Sequence, residues 1–212
     1  MGAVTVIKIG GSLAESPEAL TQVLDIVQRA AGAVAIVPGG GPFAQAVRAA
    51  QAQMRFSDVA AHRMAILGMH QMAEVVVERL PRAQLVTTSA EVAFCAGAGM
   101  IPVWLPLDEI GDVPELPPTW AVTSDAIAAW LAARISADQL VLLKACHVPR
   151  QATAGELAGL GIIDAVAPGI IAAHGVCTSV LGDGDEAMFA GLLRVRMPVD
   201  GAAGAPQGGV PE

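Results

Sequence analysis

The sequence contains no tyrosine, and only 3% of its 212 residues are aromatic. Stacking on exposed aromatic side chains is a main device for gripping single-stranded nucleic acid, so that class of function loses its platform. Basic charge is also scarce. Twelve Lys and Arg stand against twenty Asp and Glu, a formal net charge of −8, which is the wrong sign for a phosphate backbone. No nucleic-acid partner is expected. Nucleotides stay admissible, because backbone N–H groups and Mg²⁺ can meet their phosphates. The three cysteines, Cys95, Cys146 and Cys177, are odd in number and far apart. They exclude a disulfide framework and fit a reducing compartment. Unbroken apolar runs of membrane length are missing, and Val4–Ile9 is too short for a signal-peptide core or a span. These absences predict a soluble, cytoplasmic protein with no membrane partner. What is present is a chain 54% hydrophobic and 15% charged, whose core Ala, Val, Leu and Ile must fill. Its length suits one α/β domain.

The hydrophobic pattern alternates short β-branched runs with helical periods. Val4–Ile9 reads as a buried strand ending in Gly10-Gly11-Ser12, and Pro17–Ala31 as a helix with Ser16 as N-cap. Ala33–Val37 is a second strand, ending in Pro38-Gly39-Gly40-Gly41-Pro42, and Phe43–Gln53 a second helix. Ser57–Leu80 predicts a long helix with too many apolar positions for one stripe, so a homo-oligomer through this helix is expected. Strands are predicted at Leu85–Thr88, Ile101–Leu105, Gln139–Leu143 and Cys177–Leu181, and helices at Ala90–Ala98, Thr123–Ile135, Gly155–Leu160, Pro168–His174 and Glu186–Leu193. Asp108–Pro118 reads as a loop or lid. Strand and helix in alternation imply a parallel sheet with helices on its faces. Residues 1–197 form a single predicted domain, and the Gly/Ala/Pro-rich 198–212 a disordered tail.

The chemistry gathers at strand ends. A glycine pair after a strand lets the backbone approach a ligand closely, and the helical turn that follows offers free N–H groups to an anion. Lys8-Ile9-Gly10-Gly11-Ser12 is therefore either a phosphate cradle with Lys8 aimed at it, or a turn needing glycine for geometry alone with Lys8 in solvent. It is not a Walker A loop, since Gly-Lys-Ser/Thr is absent. The second turn, Gly39, Gly40 and Gly41 between prolines, favours the cradle, because both turns fall at one edge of a parallel sheet. Lysine usage points the same way. The chain has two lysines, Lys8 and Lys144, against ten arginines, and each follows or ends a predicted strand. Compact ammonium charges suit a moving phosphoryl group. Asp125, at a helix start, either holds these ammonium groups or answers the helix dipole. Cys146, His147, His174 and Cys177 match no zinc spacing, so no metal centre is expected. His62 and His70 read as packing residues, and Asp183 and Asp185 as capping residues.

The segments VIKIGGSL, VPGGGPFAQAVR, WAVTSDAIAAWLA and ADQLVLLK, in this order and spacing, resemble the amino acid kinase family over Val4 to about Leu193. The short length, AAHRMAILGMHQMAE and WAVTSD are most similar to a short branch whose acceptor is a furan-bearing phosphate monoester of one-carbon cofactor biosynthesis. The resemblance implies a three-layer αβα sandwich, ATP and Mg²⁺, and in-line phosphoryl transfer to a small phosphorylated substrate. By it, Lys8 stabilises the transferred group, Gly10, Gly11 and Ser12 hold phosphate, Gly39, Gly40 and Gly41 hold the acceptor, and Asp125 organises the lysines. Two features depart from the family. Lys144-Ala145-Cys146-His147-Val148-Pro149 stands where relatives have a Thr-Asp-x-Asp-Gly-type nucleotide stretch, and no lysine follows Lys144. Lys144 is expected to take over the charge of the later family lysine. Isopentenyl phosphate, UMP or an amino-acid carboxylate are the other acceptors implied, and a non-catalytic nucleotide- or oxyanion-binding relative is the alternative to an enzyme. An aminomethyl group on the acceptor calls for a carboxylate, for which Glu91, Asp108 and Glu109 are available.

Overall fold

The computed structural model describes residues 4–111 and 113–195; the expected tail 198–212 lies outside them. The chain opens with β1 (Val4–Ile9), a 3₁₀ turn (Gly11–Glu15) and α1 (Pro17–Gln28), followed by β2 (Ala33–Pro38) and α2 (Gly41–Met54). The long α3 (Asp58–Arg79) leads to β3 (Ala83–Val86), α4 (Ser89–Gly97), β4 (Ile101–Trp104) and the single turn α5 (Leu107–Ile110). Then come α6 (Ser124–Arg134), β5 (Gln139–Leu143), α7 (Ala154–Gly159), α8 (Ala167–His174), β6 (Thr178–Leu181) and α9 (Glu186–Leu192). The six strands form one sheet in the order β3-β4-β2-β1-β5-β6, with every pair parallel. This is the expected α/β sandwich, with helices on both faces.

Helix boundaries follow from local chemistry. The Ser16 hydroxyl accepts from Ala19 N–H with Pro17 at the first helical position, and Ser57 caps α3 through Ala60 N–H at 3.2 Å. Thr88 and Glu91 form a reciprocal capping box on α4.

The strands bury both faces, so alternate residues enter different cores. Val4 and Val6 of β1, Ala35 and Val37 of β2, and Leu140 and Leu142 of β5 pack with α4, α6 and α8. Ile7, Ile9, Ile36, Val141 and Leu143 pack with α1, α9 and the end of α3. Helix α6 is buried nearly all round by Ala126, Ile127, Ala128, Ala129, Leu131 and Ala132. Its alanines let it lie close to the sheet.

One stretch differs from expectation. Of the loop or lid expected at Asp108–Pro118, the start is the last part of α5 and the described residues beyond are loop, but a loop held to the core by the buried Ile110 and Leu116 and not a free lid. Among the described residues no helix is long and apolar enough to cross a membrane.

Candidate active site

Register puts the two lysines side by side. Lys8 is level with Val37 of β2 and Leu142 of β5, and Ile9 with Pro38 and Leu143. Counting by twos along the α6 face gives Val4, Val6, Lys8 on β1 and Leu140, Leu142, Lys144 at the end of β5. Each lysine is thus the next residue on an apolar stripe, carried to the edge where the sheet ends. The chain leaves β1 toward β2 on one side, and β5 and β6 lie on the other, so this edge is the topological switch point at which open α/β sheets bind ligands.

Both lysines meet the same carboxylate. Lys8 Nζ lies 2.9 Å from Asp125 Oδ1, and Lys144 Nζ donates to Asp125 Oδ2 at 2.6 Å. Lys8 and Asp125 are buried, while the Lys144 side chain keeps 12% exposure. The Lys144 contact is a well-formed charge-assisted hydrogen bond. Oδ1 has no aligned hydrogen-bond donor and is held by the Lys8 charge alone. Burial pushes the Asp125 carboxyl up, but the Lys8 and Lys144 charges together outweigh it and hold the group below the usual carboxylate range. Burial, then repulsion from Lys8, pulls the Lys144 ammonium below its ordinary value, against the attraction of Asp125.

Asp125 is held by a residue that sequence reasoning missed. The Asp164 carboxylate accepts from Thr123 N–H at 2.9 Å, Thr123 Oγ1–H at 2.8 Å and Ala126 N–H at 2.9 Å at the start of α6. Its other oxygen accepts from Val166 N–H at 3.0 Å and Ala167 N–H at 2.8 Å at the start of α8. Asp164 N–H in turn reaches Asp125 Oδ2 at 3.3 Å. An aspartate three residues before a helix start is a readable capping signal for α8. Its second role, on a turn about forty residues away, is not readable.

The two glycine turns press on each other. A Cβ on Gly11 would lie 2.5 Å from Gly41 N, and one on Gly39 2.5 Å from Gly11 N. Gly41 has φ +51°, which glycine adopts without strain. Geometry alone therefore requires these glycines, and the same geometry brings both turns to one place. Gly39 N–H is engaged by Ile9 O at 2.8 Å, and Leu13 N–H closes the first turn on Gly10 O at 3.0 Å. Helix α2 has no side-chain cap at its N-cap Gly40, Pro42 has no N–H and Ala44 N–H is taken by Gly40 O, so of its first turn the Gly41 and Phe43 N–H groups are the ones left for an anion. Ser12 is exposed at the start of the 3₁₀ turn. With two ammonium groups beside them, these positions fit nucleotide phosphates. Among the described residues no group of three or more His, Cys, Asp and Glu converges on a cation site, so Mg²⁺ would have to be carried in largely on those phosphates.

Beside the second glycine turn lies a cavity of about 130 Å³, walled by Gly40, Arg48, His62, Met69, Trp120 and Ser124 among others. The Arg48 guanidinium stacks 3.9 Å from the Trp120 ring centroid, and Trp120 Nε1–H donates to Gln51 Oε1 at 2.7 Å. His62 is buried and has its pKa lowered, by burial against a backbone bond to Thr119, so it is neutral at pH 7. No carboxylate lines this cavity. Arg48 and Trp120 fall within segments that carry the family resemblance, but their contact is not readable in the sequence, because they lie far apart along it, on a helix and a loop.

Other expected residues lie elsewhere. Glu91 caps α4, and Glu109 accepts from Ser89 N–H and Oγ–H. Asp185 stands at the start of α9 but caps nothing; it accepts from Gly182 N–H at 3.0 Å and pairs with Arg150 at 3.2 Å. The altered stretch after β5 packs on that turn, with Asp183 N–H donating to Cys146 O at 3.1 Å.

Comparison with known proteins bears on the fold and the family. The amino acid kinase family model matches residues 3–147, ending within the altered stretch. The chain is 25% identical over 138 residues to [5-(aminomethyl)furan-3-yl]methyl phosphate kinase of Methanocaldococcus jannaschii, over 65% of this chain, and spans 63% of that relative's length. Its fold superposes on uridylate kinase of Archaeoglobus fulgidus (TM-score 0.66, 20% identity, 92% of this chain and 96% of that one). It also superposes on UMP kinase of Ureaplasma parvum (TM-score 0.71, 12% identity, 92% and 97%). The shared fold and a family match over more than half of the sequence lead to one conclusion: the chain belongs to the amino acid kinase family.

Proposed function

We propose that the chain is an ATP-dependent kinase that phosphorylates a small phosphate monoester to a diphosphate, with [5-(aminomethyl)furan-3-yl]methyl phosphate as the acceptor. The observation carrying this reading is the meeting of Lys8 and Lys144 on Asp125 at the switch point. Bound ATP supplies the phosphoryl group. An acceptor phosphate oxygen forms the new P–O bond while the bond to the departing ADP oxygen breaks, with no protein nucleophile. Lys8 meets the charge developing on the transferred group, and Lys144 the charge on the nucleotide side. Asp125 keeps both ammonium groups aimed and in register, and Asp164 fixes Asp125. Gly10, Gly11 and Ser12 cradle the nucleotide phosphates. Gly39, Gly40 and Gly41 seat the acceptor phosphate at the mouth of the Arg48–Trp120 cavity. The work is positioning and electrostatics.

Cavity size supports a compact acceptor, since 130 Å³ is well under the few hundred Å³ of ordinary ligand pockets. Its largely apolar walls, with Ala44, Ile66, Val122 and Ile127, favour isopentenyl phosphate as the second reading over UMP. Residues 1–197 act as one catalytic domain in this reading, in the cytoplasm. The exposed Val59, Met64 and Leu67 on α3 support a homo-oligomer, which light scattering would test.

Incubation with ATP, Mg²⁺ and a panel of phosphate monoesters, following ADP release, tests the proposal. ADP formation dependent on the furan phosphate is the expected outcome. Tight nucleotide or oxyanion binding without turnover on any acceptor would replace the kinase by a binding protein.

A further inference from the structure

A second cavity, of about 270 Å³, adjoins the first. His62 and Ile66 line both, so these two side chains stand between them. The second cavity is walled by Arg63, Leu107, Asp108 and Leu116, with Val59 one turn before Arg63 on α3. It opens along the α5 stretch that the buried Ile110 and Leu116 pin to the core.

Three carboxylates lie in this region, and their engagements differ. Glu91 is occupied by the N–H groups of Thr87 and Thr88 and by Thr87 Oγ1. Glu109 is occupied by Ser89 through both oxygens. Asp108 forms no hydrogen bond and no ion pair through its side chain among the described residues, and it alone of the three lines the second cavity. Its cationic neighbours are few. His62 and His70 both have lowered pKa values, chiefly through burial, and are neutral at pH 7. Arg63 shares the cavity but is exposed and not paired with Asp108.

We infer that the two adjoining cavities, parted by the His62 and Ile66 side chains, form a two-ended acceptor site when those side chains give way, in which the phosphate lies at the Gly40 end and Asp108 receives an ammonium group at the other. The first cavity has Arg48 and no carboxylate; the second holds an unengaged carboxylate beyond His62. A site with opposite charges at its two ends selects a short molecule charged in the same way. Between the ends lie the neutral His62 ring and Ile66, surfaces that suit a flat spacer. The inference rests on the kinase reading above and deepens it, because it makes Asp108 the residue that separates an amine-bearing phosphate from isopentenyl phosphate, which has nothing to offer a carboxylate.

The test is the ratio of kcat/KM for two acceptors, the aminomethylfuran phosphate and its analogue with methyl in place of aminomethyl, in the native chain and in Asp108→Asn and Asp108→Glu. A hydrogen bond to a charged group implies a preference for the amine of about tenfold or more in the native chain. Asp108→Asn should bring the ratio near one, mainly through KM of the amine, and Asp108→Glu should restore part of it. Residue 108 is exposed, so loss of folding does not confound the comparison. A native ratio that Asp108→Asn leaves unchanged overturns this inference while the kinase reading stands. A native chain that phosphorylates neither compound, nor any other monoester, overturns the kinase reading and this inference with it.

Discussion

The two sides of the sheet edge solve phosphate recognition differently. On the β1–β2 side two backbone turns are locked together, with Gly11 and Gly39 each excluding a Cβ because the other turn is there. Charge on this side comes from the buried Lys8 and from helix-start N–H groups. On the β5–β6 side a Cβ on Gly182 would likewise run into Cys146 O and Val148, so that turn is locked as well. There Lys144 remains partly exposed, and the acidic Asp183, Asp185 and Glu186 border a cavity of about 40 Å³. The two sides share one carboxylate and differ in charge and exposure: the first is buried and built on helix-start N–H groups, the second is partly open and acidic. The family model stops matching on the β5–β6 side, at residue 147.

The largest effect should come from removing what the sides share. Asp125→Asn leaves two ammonium groups close together in a largely buried site. Breaking a buried pair costs about 3–5 kcal/mol of stability, and the loss of aimed charge should lower kcat about 10³-fold. Chemical denaturation and steady-state kinetics check both numbers. A variant with native kcat would separate the Lys8–Asp125–Lys144 cluster from catalysis altogether.

Gly11→Ala breaks only the β1–β2 side. Its methyl must push backbone atoms of Gly41 away, and a displacement approaching 1 Å at a phosphate cradle lowers kcat about 10²-fold. Overpacking adds about 1–3 kcal/mol of destabilisation. If the turns were mere connections, stability alone would fall and the residual folded enzyme would keep its kcat.

Lys144→Met tests the β5–β6 side. It should lower kcat about 10²-fold while nucleotide binding, followed by calorimetry, survives. A pH series sharpens this. The Lys144 pKa is depressed in the folded protein, so in alkaline solution the folded state gives up this proton before the unfolded chain does. The unfolded state then binds more protons, and stability attributable to Lys144 rises with pH through that window. Activity falls through the same window as the ammonium charge is lost. Asp125 has the same sign in an acidic window: its depressed pKa contributes stability that is fully present above the ordinary carboxylate range and is lost as pH falls through the folded value. An alkaline loss of rate without a loss of melting temperature, absent in Lys144→Met, is the expected signature. Rate and melting temperature falling together would assign the limb to unfolding.

Much of the fold and part of the site are legible in the order of residues. Short β-branched runs ending in glycine clusters, and helix starts marked by Ser16, Ser57 and Thr123, describe local backbone chemistry, which depends on neighbours in sequence. The rarity of lysine singles out Lys8 and Lys144, and a helix-start position singles out Asp125. Less legible are the partners of these residues. Asp164 reads as a cap for α8, yet it also holds the start of α6. Arg48 stacks on Trp120 only because α2 and the loop before α6 meet. The Asp108–Pro118 stretch reads as free because its composition is polar and Pro-rich, and two buried side chains decide otherwise.

By itself, then, the sequence determined the alternation of strands and helices, the glycine turns at their ends, and the residues able to carry phosphoryl chemistry. Hydrogen bonding and hydrophobic periodicity act over a few residues and are written in order along the chain. Only the tertiary structure decided that Lys8 and Lys144 share Asp125, that Gly11 and Gly39 need each other, and that Asp108 of the three carboxylates lines the cavity beside His62. Those facts depend on which strands become neighbours and in what register, and that is settled by packing two cores against a single sheet.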